Sequence, residues 1–159
     1  MASMREIKRR KASIASTQQI TKAMKLVSTV KLQRAKGKAE ATKPYFDCMY
    51  DTVATMLSKS GNVDHPYLKS GGSSKKAVIT ITSNRGLAGG YNVNVFRLVK
   101  ELGNIDIHPI GKKACEKYGK AINSSEHFSY EDASKLAKEL CEEFKDGKYA
   151  KIGVVSTEY

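Results

Sequence analysis

The 159-residue sequence has no tryptophan, three prolines, three cysteines and three histidines. Nowhere do its apolar residues run unbroken for the roughly 18–20 positions that a membrane-spanning helix requires. Cys48, Cys115 and Cys141 are odd in number and far apart, with no Cys-x-x-Cys pair, which argues against a disulfide framework or a zinc cluster and reads as reduced packing residues. His65, His108 and His127 are equally scattered and read as loop or strand residues rather than as a base or a metal ligand. No catalytic constellation, metal site or cofactor motif is expected from this inventory. The opening MASMRE runs straight into charge without the apolar core of a secretory signal, so a cytosolic chain is expected.

What the chain has instead is positive charge at one end. Lys and Arg number 28 against 16 Asp and Glu, a formal +12. Residues 1–43 hold 12 basic residues against Glu6 and Glu40, 12 − 2 = +10, whereas residues 44–159 hold 16 against 14, only +2. Such asymmetry calls for an acidic partner: a nucleic acid, an anionic membrane surface or a protein cavity lined with carboxylates.

The basic segment lacks glycine before Gly37, proline before Pro44 and any aromatic before Tyr45, and it is rich in Lys, Arg, Gln, Ala, Met and Leu. The composition predicts a long continuous helix, and 40 residues would extend roughly 60 Å. Ile7 and Ile14 lie a heptad apart and continue as Thr21 and Ser28; Ile20, Met24 and Val27 mark a neighbouring stripe; Leu26 and Val30 mark another flank. A rod that is mildly apolar on several sides suits a multi-sided environment, the plain alternative being a helix solvated all round. Gly37 and Pro44 should weaken or bend it, with residues 45–59 resuming the helix. Residues 60–75, rich in Gly and Ser around Pro66, read as a linker loop.

From residue 76 the pattern becomes α/β. The run 77–82, AVITIT, suits a buried strand; a helix follows over 92–102, a strand over 105–110, a short helix over 112–118 and a further strand over 152–155. Ser129 with Asp132 forms an N-cap signature, and Ala133, Leu136, Ala137, Leu140, Cys141 and Phe144 keep helical spacing up to the stop at Gly147. The expected organisation is a long basic coiled-coil-type helix over 1–59, the linker over 60–75 and a Rossmann-like, mainly parallel α/β domain over 76–159.

The Gly-rich stretch 83–92, SNRGLAGGYN, sits between the first strand and its helix, where phosphate loops often lie, but it has neither Gly-Lys-Ser/Thr nor Gly-x-Gly-x-x-Gly. Its Gly-x-x-Gly matches that of KH domains over four residues, in the wrong setting. The plain reading is a tight turn with positive φ that holds Arg85 towards solvent or a partner.

Two segments together, 14–27 (IASTQQITKAMKLV) and 83–92, resemble the γ subunit of F-type ATP synthase, and the likeness runs in order from Arg5-Glu6-Ile7 through His65-Pro66-Tyr67 to Val154-Val155-Ser156. The resemblance implies a central-stalk rotor that couples ion translocation to ATP synthesis or hydrolysis, its N-terminal helix inside a ring of three α and three β subunits and its α/β domain against the ε subunit and the membrane c-ring. It implies partner contacts at Lys31, Arg34 and Arg85, which would meet acidic β loops, with Met24 and Lys25 nearby. It further implies no catalytic residue and no cofactor in this chain, and a peripheral place on the cytoplasmic face of a bacterial plasma membrane. The sequence departs from the pattern in stopping at Tyr159, where γ chains continue into a C-terminal helix that coils against the first. The expectation is therefore a truncated α/β domain, an unpaired first helix able to self-associate, and no normal rotation by this polypeptide alone. Asn84 stands where the family usually has Asp, and Ala88 where it often has Cys. The competing reading is a nucleic-acid-binding protein with a basic helical arm, which the absence of aromatics among the basic residues disfavours. A nucleotide-binding enzyme would need convergent phosphate-binding or acid–base groups, and none is visible.

Overall fold

The computed structural model describes residues 3–61, 63–69, 72–121 and 123–157. Contacts divide the chain into two units, residues 1–63 and residues 64–159.

The first unit is one helix, α1, Met4–Lys59, 56 residues or roughly 84 Å of rise. The Ser3 hydroxyl caps it by accepting from the Arg5 amide, Glu6 lies in its first turn and Lys59 in its last, each suited to the helix dipole. No residue of α1 is buried. The expected weakening at Gly37 and Pro44 does not interrupt it: both lie inside continuous helix. The Pro44 nitrogen cannot donate to the Glu40 carbonyl, yet the whole helix surface is exposed, so water satisfies the freed carbonyl and the long helical runs on both sides carry the chain through.

The second unit is a three-layer α/β sandwich. Strands β1 (Lys76–Ile81), β2 (Ile105–Ile110) and β3 (Lys151–Val155) form a parallel sheet in the order β2-β1-β3, with Val78 opposite Ile107 on one side and Gly153 on the other. Helices α2 (Tyr91–Glu101), α3 (Lys112–Tyr118) and α4 (Tyr130–Lys145) supply the crossovers. The alternation of β1 decides which layer covers which face. Val78 packs with Val95, Val99 and Val155 beneath α2, while Ala77 packs with Leu140 and Tyr149 beneath α4. Pro109 fits within β2 because β2 lies at the edge of the sheet.

The sequence expectations for this α/β unit hold within a residue. β2 and α3 fall at the expected positions, α2 begins at Tyr91 rather than Asn92, and Ser129 and Asp132 form a reciprocal capping box. Of the cysteines, all expected as packing residues, Cys115 is buried and Cys141 half-buried, but Cys48 is exposed on α1. Part of the expected linker is ordered: Pro66–Leu68 form a 3₁₀ turn capped by His65, and Tyr67 packs on Phe144 at 6.1 Å between ring centroids with the Lys145 ammonium over its ring. Behind the sheet the buried Tyr149 donates to the Asp106 carboxylate at 2.7 Å. That bond, with Lys75 beside it, holds the Asp106 carboxyl below its ordinary value, while desolvation pushes Tyr149 up to about 12.

Candidate partner-docking surface

On α1, Ile20, Met24, Val27, Lys31, Arg34 and Lys38 follow one another at alternating spacings of four and three, so they lie along one stripe: an apolar triplet and then a basic triplet. All six are exposed, Met24 by 58%. The stripe therefore gathers Met24, Lys31 and Arg34 of the residues singled out from the sequence. Lys25, one residue on from Met24, sits about 100° around the helix, on the seam that continues through Ser28 to Leu32.

The two carboxylates of the basic segment are engaged within the helix. Glu6 meets Arg10 at 2.8 Å and Glu40 meets Lys36 at 3.7 Å. These are exposed i,i+4 pairs of the weak surface kind, and they leave the +10 excess of residues 1–43 in place.

A second line extends back from the helical spacing expected over 45–59, where Met49, Val53 and Met56 were already legible: Leu32, Ala35, Ala39, Thr42, Phe46, Met49, Val53 and Met56 keep the four-three alternation through Gly37 and Pro44, and Phe46 stacks on Tyr50 at 6.2 Å. Counting that alternation back from residues 45–59 through Pro44 and Gly37 is the signal that joins the two stretches into one line.

In the second unit the Gly-rich loop of residues 83–90 is anchored at its base. Asn84 Oδ1 accepts from the Lys112 amide at 3.3 Å, the Ser125 amide at 3.1 Å and the Ser125 hydroxyl at 3.3 Å, while Nδ2 donates to Ser124 Oγ at 2.8 Å. Asn92 Oδ1 accepts from the Ser83 amide at 3.1 Å and its Nδ2 donates to the Ser83 hydroxyl at 2.9 Å. One strand turn away, Thr82 Oγ1 accepts from the Ala114 amide, and Asn123 joins the Gly111 amide to the Pro109 carbonyl. Ser83, Asn84 and Asn92 thus brace the loop, and its tip carries the exposed Arg85 outward, as the sequence led us to expect. The bracing role of Asn84 is not legible from spacing, since its partners lie 28 to 41 residues away.

An open groove of about 530 Å³ lies between β2 and α4, lined by His108, His127, Asp132 and Lys135 among others. Both signs of charge meet in it, and Asp132 is committed to the cap of α4. Among the described residues no group of three or more His, Cys, Asp or Glu could hold a metal, and no helix is long and apolar enough to cross a membrane.

Residues 3–159 match the family model described as ATP synthase. The "ATP synthase gamma chain" of Lachnoclostridium phytofermentans is 53% identical over all of this chain and 59% of its own length. The "ATP synthase gamma chain, sodium ion specific" of Acetobacterium woodii is 33% identical over 98% of this chain and 56% of its own, and the "ATP synthase gamma chain" of Leptospira biflexa is 34% identical over 100% and 61%. The chain spans about three-fifths of the length of these curated relatives.

Proposed function

We propose, since the chain belongs to the ATP synthase gamma-chain family, that it serves as central-stalk rotor material, with α1 seated inside a ring of three α and three β subunits. The observation that carries the reading is α1 itself, a 56-residue helix with apolar residues on several sides, none of them buried, and a +10 excess in its first 43 residues. A helix of that kind needs an environment that surrounds it and supplies carboxylates.

In this reading Lys31 and Arg34 meet acidic β loops from the basic half of their stripe, Met24 and Lys25 seat the apolar half and its neighbouring face, and Arg85 makes a further β contact from the Gly-rich loop. The second unit contacts the ε subunit and the membrane c-ring, which places the chain peripherally on the cytoplasmic face of a bacterial plasma membrane. The chain contributes no group to the chemistry of ATP.

Coupling is then mechanical. As the c-ring turns the stalk, each β site meets a different side of α1, and its nucleotide affinity shifts by the difference in contact energy between its conformations. Exposed ion pairs are worth about 0.2–1 kcal/mol each, so a basic triplet supplies about 0.6–3 kcal/mol, roughly a 3- to 150-fold change in affinity. The asymmetry of the helix surface is what makes the change depend on angle.

The test is co-elution with purified α and β subunits at about 150 mM salt, where charge is screened beyond roughly 8 Å, with labelled RNA as a parallel bait. Assembly with α and β and not with RNA is expected. RNA binding without ring assembly would replace the rotor with a nucleic-acid arm, recognisable by its steep salt dependence.

A further inference from the structure

The second line of α1 sorts its side chains by size. Leu32, Ala35, Ala39 and Thr42 make the first half and Phe46, Met49, Val53 and Met56 the second; all eight are exposed, and their spacing is symmetric about Pro44. The Thr42 hydroxyl donates to the Lys38 carbonyl at 3.1 Å, so Thr42 can enter an apolar seam without stranding a polar group. Gly37 and Pro44 lie on the opposite side of the helix and leave the seam whole. Charge is sorted in the same way. Residues 32–43 hold Arg34, Lys36, Lys38 and Lys43 against Glu40, 4 − 1 = +3, whereas residues 44–56 hold Asp47 and Asp51 and no base, −2.

We propose that two copies of this chain pair antiparallel along this line, with the two-fold axis beside Pro44. Ala39 of one copy then meets Met49 of the other, Ala35 meets Val53, Thr42 meets Phe46 and Leu32 meets Met56. Small side chains face large ones through the middle of the seam, which keeps the two helices evenly spaced. A parallel pair would stack Phe46 on Phe46 and Ala39 on Ala39 and force the helices apart at one end. The antiparallel pair also lays the +3 half of one copy on the −2 half of the other, where a parallel pair lays like on like. Register is bounded as well: the seam continues towards the N-terminus through Ser28 and Lys25, and a slip of one heptad would set Lys25 against Met56 and Ser28 against Val53. The overlap of residues 32–56 is about three and a half heptads, roughly 37 Å of helix, enough for a coiled coil. Both sides of this contact belong to the chain itself, so the inference stands apart from the ring reading.

Sedimentation equilibrium from about 1 to 100 μM chain in about 150 mM salt compares the parent with Met49→Ala, Ala39→Met and the swap Ala39→Met/Met49→Ala. The parent should sediment as two chains. Each single change acts twice in a symmetric pair, Met49→Ala by leaving two cavities and Ala39→Met by overpacking two layers, and each should weaken association roughly 100-fold. The swap puts one methionine and one alanine back into each of those layers and should return association to within about tenfold of the parent. Because the swap keeps the composition of α1, its recovery separates a repacked seam from a helix that failed to form. In a parallel pair the swap would rescue nothing, so a swap no better than the single variants overturns the antiparallel register. A parent that stays monomeric at about 100 μM, or a dimer indifferent to Met49→Ala, overturns the pairing and leaves the line to another occupant; the rotor reading is judged separately, by co-elution with α and β.

Discussion

Replacing Asn84 tests whether the Gly-rich loop is held as its hydrogen bonds indicate. Asn84→Ala removes one acceptor that serves the Lys112 amide, the Ser125 amide and the Ser125 hydroxyl, and one donor to Ser124 Oγ. The site is half-buried, so water reaches some of the groups left behind, and four bonds at a net 0.5–1.5 kcal/mol each should reduce to about 2 kcal/mol. For a unit the size of residues 64–159 that is a drop of about 8–16 °C in melting temperature. Near-UV circular dichroism is the suitable probe, because the buried Tyr149 and half-buried Tyr118 report on the sandwich while α1 dominates the far-UV signal. Asn84→Asp keeps the three accepting contacts, and the Ser124 hydroxyl can turn to donate, so at pH 7 its stability should lie within about 0.5 kcal/mol of the parent. Amide donors hold the introduced carboxyl below its unfolded value of about 3.9. Its contribution is therefore complete above that value and lost as pH falls through the lower folded one. An Asn84→Ala shift under 3 °C, or about 0.5 kcal/mol, would refute the brace.

Gly111 has φ 99°, and a Cβ there would sit 2.2 Å from the Thr82 carbonyl oxygen, so Gly111→Ala should cost more than about 3 kcal/mol and leave most of the chain insoluble on expression. Tyr149 is raised to about 12 from 10, so the stability it confers is complete below pH 10 and declines as pH rises towards 12. A urea midpoint followed from pH 9 to 12 should fall more steeply in the parent than in Tyr149→Phe, which keeps only the smaller decline from Tyr118, also raised by burial. A Cβ on Gly37 would meet nothing within 4 Å, so Gly37→Ala should strengthen α1 by about 1 kcal/mol, read as a higher helical signal at 222 nm during mild urea unfolding.

Which features could be read from the sequence follows from the range of the interaction behind each. The capping box of α4 rests on residues three apart, and the helical spacing from Ala133 to Phe144 and the β-branched run of β1 are equally local, so all were visible. The long first helix was legible too, since the expectation already ran it over 1–59; only at Gly37 and Pro44, given their local cost alone, was a weakening or bend expected, and the helix on either side carries the chain through. Asn84, Thr82 and Asn123 were invisible as a set. Each joins backbone groups that become neighbours only once β1 and β2 pair side by side and α3 follows. Arg85 could be placed at the loop tip from glycine content, whereas the strain at Leu87 could not, since nothing in SNRGLAGGYN marks a leucine rather than a glycine for the left-handed region.

The two units divide stability and recognition between them. The sandwich buries Tyr149, Leu140 and Val99 and spends its polar side chains on internal braces, so most of its free energy is committed to its own fold. Helix α1 buries nothing and is still far longer than the roughly 12–15 residues at which isolated helices become marginal. Because it is already helical, a partner that encloses it meets a small ordering cost, and Ile20, Met24 and Val27 can give their apolar area wholly to the interface. Charge and apolar surface then act at different stages. In the proposed ring, the excess positive charge would speed encounter with an acidic cavity and set which face of the helix meets which carboxylate, while the apolar residues would determine how slowly the complex comes apart. Raising salt from 50 to 300 mM should therefore lower the association rate several-fold and leave the dissociation rate within about twofold. A dissociation rate that rose with salt as steeply as association fell would mean that ion pairs hold the bound state together and that the apolar stripe is incidental.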